Sequence, residues 1–253
     1  MTTLTLNEND IYKGNLILVN AEYPFMFKSN MELIPADEKH SNILMERGAA
    51  TALAHILGNI NSLDQIVPVS GYRSEKEQKQ IYSDSLQKSG QEFTEKYVAL
   101  PKHSEHHTGF AINLGLKKDV INFICPDFPY EGICDRFRKT APQYGFIERY
   151  QSLKEMITGI AHEPWHFRFV GYPHSEIIME HGLSLEEYIE YIKKYTYEGK
   201  HLEVTIGRQK AEVFYVPFLF LGQIELCIPD NCLYEVSGNN VDGFIITLWR
   251  CLQ

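Results

Sequence analysis

Hydrophobic and polar positions change period several times along the 253 residues. Leu16-Ile17-Leu18-Val19 is a short, partly β-branched apolar run ended by Asn20, and it predicts a buried strand early in the fold. From Ala36 to Leu57 the period lengthens. Ile43, Leu44, Ala50, Leu53, Ala54 and Leu57 recur near helical spacing until Gly58-Asn59 gives a stop signal, which predicts a helix. Ile66-Val67-Pro68-Val69 reads as a strand running through Ser70-Gly71-Tyr72-Arg73 into a turn. Ser74 then caps a helix with Glu75 and Glu77 in its first turn, so Arg73 is expected at a strand-to-helix junction. Further on, a helix is expected from Cys134 to Tyr144, closed by Gly145, and a strand from His166 to Val170. A last helix runs from Leu185 to Tyr195 behind Ser184, with Glu187 completing a capping box. After Tyr195 apolar runs alternate with turn signals: Leu202 to Ile206, Ala211 to Val216, Phe218 to Leu226 and Phe244 to Trp249, separated by Gly207, Pro229-Asp230-Asn231 and Gly238-Asn239. This texture predicts two parts, residues 1–196 and a β-rich appendage, 197–253.

Composition narrows the picture. A hydrophobic content of 44% over 253 residues is enough to bury a substantial core. No apolar run approaches the ~20 residues needed to span a bilayer, and Met1 to Asn9 is polar and acidic, unlike a signal peptide; a cytoplasmic protein is expected. Cys125, Cys134, Cys227, Cys232 and Cys251 are odd in number and lack CxxC spacing, which fits reduced thiols. The formal net charge of -9 argues against nucleic acid as the main partner.

The chemistry concentrates in the histidines. His103, His106 and His107 lie together, and His162 and His166 frame Glu163; two separated His clusters suggest a metal. His162-Glu163-Pro164-Trp165-His166 has the HExxH form that in zincins puts two ligands on one helix face. Pro164 argues against that reading, because it removes an amide donor and clashes within a helix, and His166-Phe167-Arg168-Phe169-Val170 has the look of a strand.

Four segments support a different reading: Gly71-Tyr72-Arg73-Ser74 with Gln78, the stretch Ser104-Glu105-His106-His107-Thr108-Gly109-Phe110-Ala111-Ile112-Asn113, Tyr144-Gly145-Phe146, and Glu163-Pro164-Trp165-His166. In order and spacing, from about Asn15 to Tyr191, they resemble the VanY/VanXY family of zinc-dependent D,D-carboxypeptidases and D,D-dipeptidases. The resemblance implies an α+β fold similar to hedgehog-type zinc peptidases, with a small antiparallel sheet carrying the metal. It implies one Zn2+ per chain, with His106 and His166 as ligands, Glu163 as catalytic base, and Arg73 stabilising negative charge on the attacked carbonyl oxygen. Ser104 and Gln78 match positions that contact substrate. The third ligand of the SxHxxGxAxD pattern is an aspartate, and this chain has Asn113 there. A neutral amide is a weaker donor to a dication than a carboxylate, so zinc affinity and activity are expected to suffer. The match assigns no ligand role to His103, His107 or His162. The expected substrates are D-Ala-D-Ala-ended peptides of cell-wall precursors, with a role in glycopeptide resistance. The alternatives are a scaffold that binds such peptides without cutting them, and a related wall endopeptidase. The segment from Ser83 to Leu100 is a candidate edge of the cleft.

Overall fold

The computed structural model describes all residues except 27–30, 63, 207–208, 220–221, 231 and 252–253. In chain order the strands are β1 (Thr2–Asn7), β2 (Leu33–Pro35), β3 (Leu44–Glu46), β4 (Ile66–Ser70), β5 (Ala111–Leu116), β6 (Phe146–Tyr150), β7 (Glu163–Phe169), β8 (Leu202–Ile206), β9 (Gln209–Pro217), β10 (Gln223–Ile228), β11 (Leu233–Gly238) and β12 (Gly243–Cys251). The α-helices are α1 (Arg47–Asn59), α2 (Glu75–Ser89), α3 (Gln91–Tyr97), α4 (Gly132–Thr140), α5 (Glu155–Thr158), α6 (His174–Glu180) and α7 (Leu185–Ile192). They form two compact units, Val19–Ser184 and a second built from Met1–Leu18 with Leu185–Gln253.

The Val19–Ser184 unit is α+β, with an antiparallel sheet in the order β4-β5-β7-β6. α1 turns Ala49, Ala50, Leu53, Ile56 and Leu57 inward, and Glu46 caps it by accepting from the amides of Gly48 (2.7 Å) and Ala49 (3.1 Å). Those side chains join Ile112, Leu114, Phe128, Phe137 and Phe167 in one core. The Phe137 and Phe167 rings meet edge-to-face at 4.9 Å, and truncating either to Ala would cost about 3–5 kcal/mol. The N-cap expected at Ser74 forms, and it is a full capping box: Ser74 N–H donates to Glu77 Oε2 (2.7 Å) and Glu77 N–H to Ser74 Oγ (3.2 Å).

Several expectations shift. The helix begins at Arg47, because Leu33–Pro35 and Leu44–Glu46 pair as short antiparallel strands around a turn in which Asp37 Oδ1 accepts from the His40 amide; the helical spacing of Ile43 and Leu44 is coincidental. Leu16 to Val19 is buried without forming a strand. Leu16 N–H donates to Ser237 Oγ and Leu18 N–H to the Asn239 carbonyl, each at 2.9 Å, so the backbone is satisfied without a ladder. The strand expected at His166 begins three residues earlier, at Glu163.

In the second unit β1 pairs antiparallel with β10, and β11-β12-β9-β8 form a sheet. Leu6, Ile11, Phe214, Val216 and Phe244 share its core. The division therefore falls elsewhere than the expected 1–196 and 197–253: the first 18 residues and α7 group with the late strands. The sequence reading passed over β1 and β11, whose amphipathic runs are short. The strand expected from Phe218 to Leu226 forms as β10, shifted toward Ile228; Gly207, Asn231 and part of that run lie outside the described residues. No disulfide joins Cys125, Cys134, Cys227 or Cys232. No helix among the described residues is long and apolar enough to cross a membrane.

Candidate active site

Asn113 occupies the middle of the sheet, with Ser70 of β4 as cross-strand partner on one side and His166 of β7 on the other. Pairing alone brings residues distant in sequence to one spot. Glu163 and His166 are three apart, and in a regular strand they would face opposite sides. Here β7 takes four positions, from Phe167 to Glu163, while its partner β6 takes two, from Glu148 to Tyr150. This irregularity accommodates Pro164, which has no amide for the ladder, and turns both side chains to the same cavity.

That cavity, about 30 Å³, is lined by Arg73, Ser104, His106, Asn113, Glu163 and His166, with walls from Tyr97, Val98, Ala99 and Tyr150. The expected cleft edge within Ser83 to Leu100 thus contributes three wall residues. A larger pocket of about 210 Å³ shares Val98, Ala99, Tyr150 and Ile160 with it and is also lined by Tyr82, Glu95 and His103.

His106 follows Ser104, the N-cap of a one-turn 3-10 segment, Glu105–Thr108. Its Nδ1 lies 2.7 Å from the Gly71 carbonyl, which can only accept, so the proton is on Nδ1 and Nε2 carries the lone pair. The His106 and His166 rings stand at 81° with centroids 5.0 Å apart. Burial holds both imidazoles below their ordinary range, the Arg73 charge adding to it, so both are neutral at neutral pH. Glu163 is pushed the other way: burial raises its carboxyl well above the usual range, Arg73 opposing and Glu105 reinforcing.

Arg73 donates from Nε to Ser70 Oγ (2.8 Å) and from a terminal nitrogen to Gln78 Oε1 (3.2 Å), and its guanidinium lies over the Phe123 ring. Desolvation of the half-buried Arg73 among protein groups pulls its pKa down to about 10, where it remains a cation at neutral pH. Gln78, expected to contact substrate, is fully buried beside Arg73, its Nε2 donating to the Ala99 carbonyl (2.8 Å). The other histidines have separate partners. His107 donates from Nδ1 to the Arg73 carbonyl and accepts at Nε2 from the Lys102 amide. His103 bonds the Asn20 carbonyl, and His162 bonds Tyr130.

Among the described residues no group of three His, Cys, Asp or Glu side chains is placed to hold a metal. A metal at this cavity would have to take a donor from outside that set, and Asn113 lines it with an amide oxygen. Asn113 Oδ1 is buried without a hydrogen-bond partner, an atom that costs stability unless something binds it. Two neutral imidazoles and one amide oxygen fit a borderline cation such as zinc, without the anionic ligand that would tighten it. Sequence reasoning did not find Glu105, Arg149 and Arg168, which are wholly buried behind His166. Arg168 could have been suspected, since it alternates with Phe167 and Phe169 in a strand; the burial of Glu105 left no local signal.

The family model VanY, D-alanyl-D-alanine carboxypeptidase, matches residues 42–172. The bifunctional D-Ala-D-Ala dipeptidase and D-Ala-D-Ala carboxypeptidase VanXYC of Enterococcus gallinarum is 39% identical over 71% of this chain and 95% of its own length. A crystal structure of the vancomycin-resistance D,D-dipeptidase VanXYg in complex with a D-Ala-D-Ala phosphinate analogue superposes with a TM-score of 0.96 at 53% identity, covering 98% of this chain and 99% of that one. A VanY D,D-pentapeptidase from a VanB-type resistance cassette, in complex with Zn(II), gives a TM-score of 0.58 at 25% identity over 69% of this chain and 98% of that one. The chain belongs to the VanY family of D-alanyl-D-alanine carboxypeptidases.

Proposed function

We propose that this protein is a zinc peptidase that hydrolyses D-Ala-D-Ala and removes the terminal D-Ala from D-Ala-D-Ala-ended cell-wall precursors, an activity that would withdraw the target of glycopeptide antibiotics. The observation that carries this reading is the convergence of His106, Asn113, Glu163, His166 and Arg73 on one cavity in a chain so similar to a D,D-dipeptidase that binds a D-Ala-D-Ala analogue. His106, Asn113 and His166 would hold one Zn2+ per chain. Zinc, when bound, supplies a Lewis acid that polarises the scissile carbonyl and makes water more acidic. Glu163, ionised during turnover, takes the proton of the attacking water and delivers it to the leaving D-Ala amine. Arg73, held by Ser70 and Gln78, presents a fixed cation to the oxygen on which negative charge collects. Ser104, buried at the cavity wall, offers a hydroxyl to the substrate's polar ends. The adjoining 210 Å³ pocket gives longer peptides room beyond the small reacting cavity.

Asn113 favours a second reading, a scaffold that binds D-Ala-D-Ala peptides and cuts them poorly, since the amide adds no negative charge to the donor set. Zinc titration and D-alanine release, measured for the parent and for Asn113→Asp, separate the two. The carboxylate should raise zinc affinity and D-alanine release by at least about 10-fold, because even residues behind the ligands alter such sites that much. Equal affinity and equal release in the two proteins would remove residue 113 from the ligand set. No release by either zinc-loaded protein, from dipeptide or pentapeptide, would overturn the peptidase reading.

A further inference from the structure

Glu105 is the only one of the three charged residues behind His166 that carries negative charge, and none of its side chain is exposed. Its Oε1 accepts from Arg149 Nε at 2.8 Å and faces an Arg168 terminal nitrogen at 3.2 Å. Arg149 and Arg168 are themselves fully buried and lie against the rings of Tyr150 and Phe110. Two guanidinium groups within 3.2 Å of one Glu105 oxygen make this the place for a carboxylate rather than a neutral acid. Such a cluster is a poor device for stability, because the desolvation of three charges offsets most of their attraction. It is an effective device for presenting one anionic oxygen in a fixed place. That oxygen, Oε2, has no hydrogen-bond partner within ideal geometry among the described residues; it faces His166 Nε2 at 3.5 Å, and that nitrogen likewise has no other partner.

A neutral imidazole carries its proton on one nitrogen, and an ionised carboxylate can only accept. The proton of His166 therefore belongs on Nε2, toward Glu105. Nδ1, which lies 3.4 Å from Glu163 Oε2, is left with its lone pair on the cavity side. The gap of 3.5 Å is longer than a formed hydrogen bond, and a small rotation of the ring closes it. His106 has the opposite assignment, imposed by a backbone carbonyl.

We propose that Glu105, clamped by Arg149 and Arg168, is a positioning residue that sets the tautomer and orientation of His166 before any metal arrives. The inference rests on the zinc-site reading given above, and it adds a cause for the readiness of that site: the ligand is preorganised by a buried ion cluster rather than by the metal.

Long-range 1H–15N correlation spectra of the 15N-labelled, metal-free full chain at pH 8 test it, with the His166 resonances assigned by their loss in His166→Gln. The expected result is a single Nε2-protonated His166. An Nδ1-protonated ring, or an even mixture, in the unaltered protein overturns the proposal without any appeal to a variant that fails to fold. In Glu105→Gln, where the charge is gone but the shape is kept, the tautomers should mix and zinc affinity should fall about 10–100-fold. A single Nε2-protonated form with unchanged zinc affinity in that variant also overturns it. An unaltered protein with the expected tautomer and no zinc affinity would instead defeat the zinc-site reading and leave the role of Glu105 intact.

Discussion

Two glutamates stand within 3.5 Å of His166, and their surroundings shift them in opposite directions. Glu105 meets two guanidiniums that lower its carboxyl, whereas burial raises the Glu163 carboxyl despite the nearby Arg73. Environment, not residue type, divides their roles. Glu163→Gln keeps the shape of a side chain whose charged form is disfavoured by burial. Its unfolding free energy from urea titration should stay within about 0.5 kcal/mol of the parent and zinc should be retained, while D-alanine release falls about 100-fold or more, since an amide cannot relay a proton. Release equal to the parent's would take Glu163 out of the mechanism. At this scale the candidate site was largely legible: Arg73, His106, Asn113, Glu163 and His166 were all nominated from their motif positions, and all five line one cavity. Glu105 stands in the same motif but was overlooked, because what makes it informative is a contact 44 residues away, with Arg149.

At the scale of elements, the strand–turn–helix around Gly71 links the fold to the site. The Gly71 carbonyl sets the His106 tautomer, and the next amide, of Tyr72, donates to the Leu44 carbonyl at 2.6 Å. A Cβ built on Gly71 would lie 2.2 Å from that same Leu44 oxygen, a backbone atom that cannot swing aside. Gly71→Ala should therefore displace the turn from β3, lowering unfolding stability by about 1–3 kcal/mol and weakening zinc binding together. Urea unfolding and zinc titration check this, and unchanged values would show that the strand yields without cost. The cap at Ser74 and the rise of α2 were readable because their signals are local. The start of α1 was not, since a short strand pair outcompeted a helical period that continued through Ile43 and Leu44.

For the whole molecule, the buried histidines couple stability to pH. His174, at the start of α6, is desolvated to about 3 from an ordinary 6.5. The unfolded chain takes up a proton that the folded chain refuses. The stabilisation is thus complete above pH 6.5 and is lost as pH falls toward 3, at about 1.4 kcal/mol per unit. Between pH 7 and pH 5 the His174 share is about 2 kcal/mol. Other buried groups add to or, like the raised Glu163 carboxyl, oppose this slope, so the His174 share is read as a difference: between pH 7 and pH 5, urea unfolding of the metal-free parent and of His174→Gln should differ in their change by about this amount, and a variant with the parent's pH slope would refute the assignment.

The amino-acid sequence by itself determined the Ser74 cap that begins α2 and, through motifs resembling a known family, the α+β class and the polar residues Arg73, Ser104, His106, Asn113, Glu163 and His166 of the cavity, because capping and motif spacing act over a few residues. Only the tertiary structure decided which strands share a sheet, that the first 18 residues group with the late strands, and that Glu105 is buried between two arginines. These depend on contacts between segments far apart in the chain, where pairing and burial are settled by the packing of the whole unit and leave no signal in the neighbouring residues.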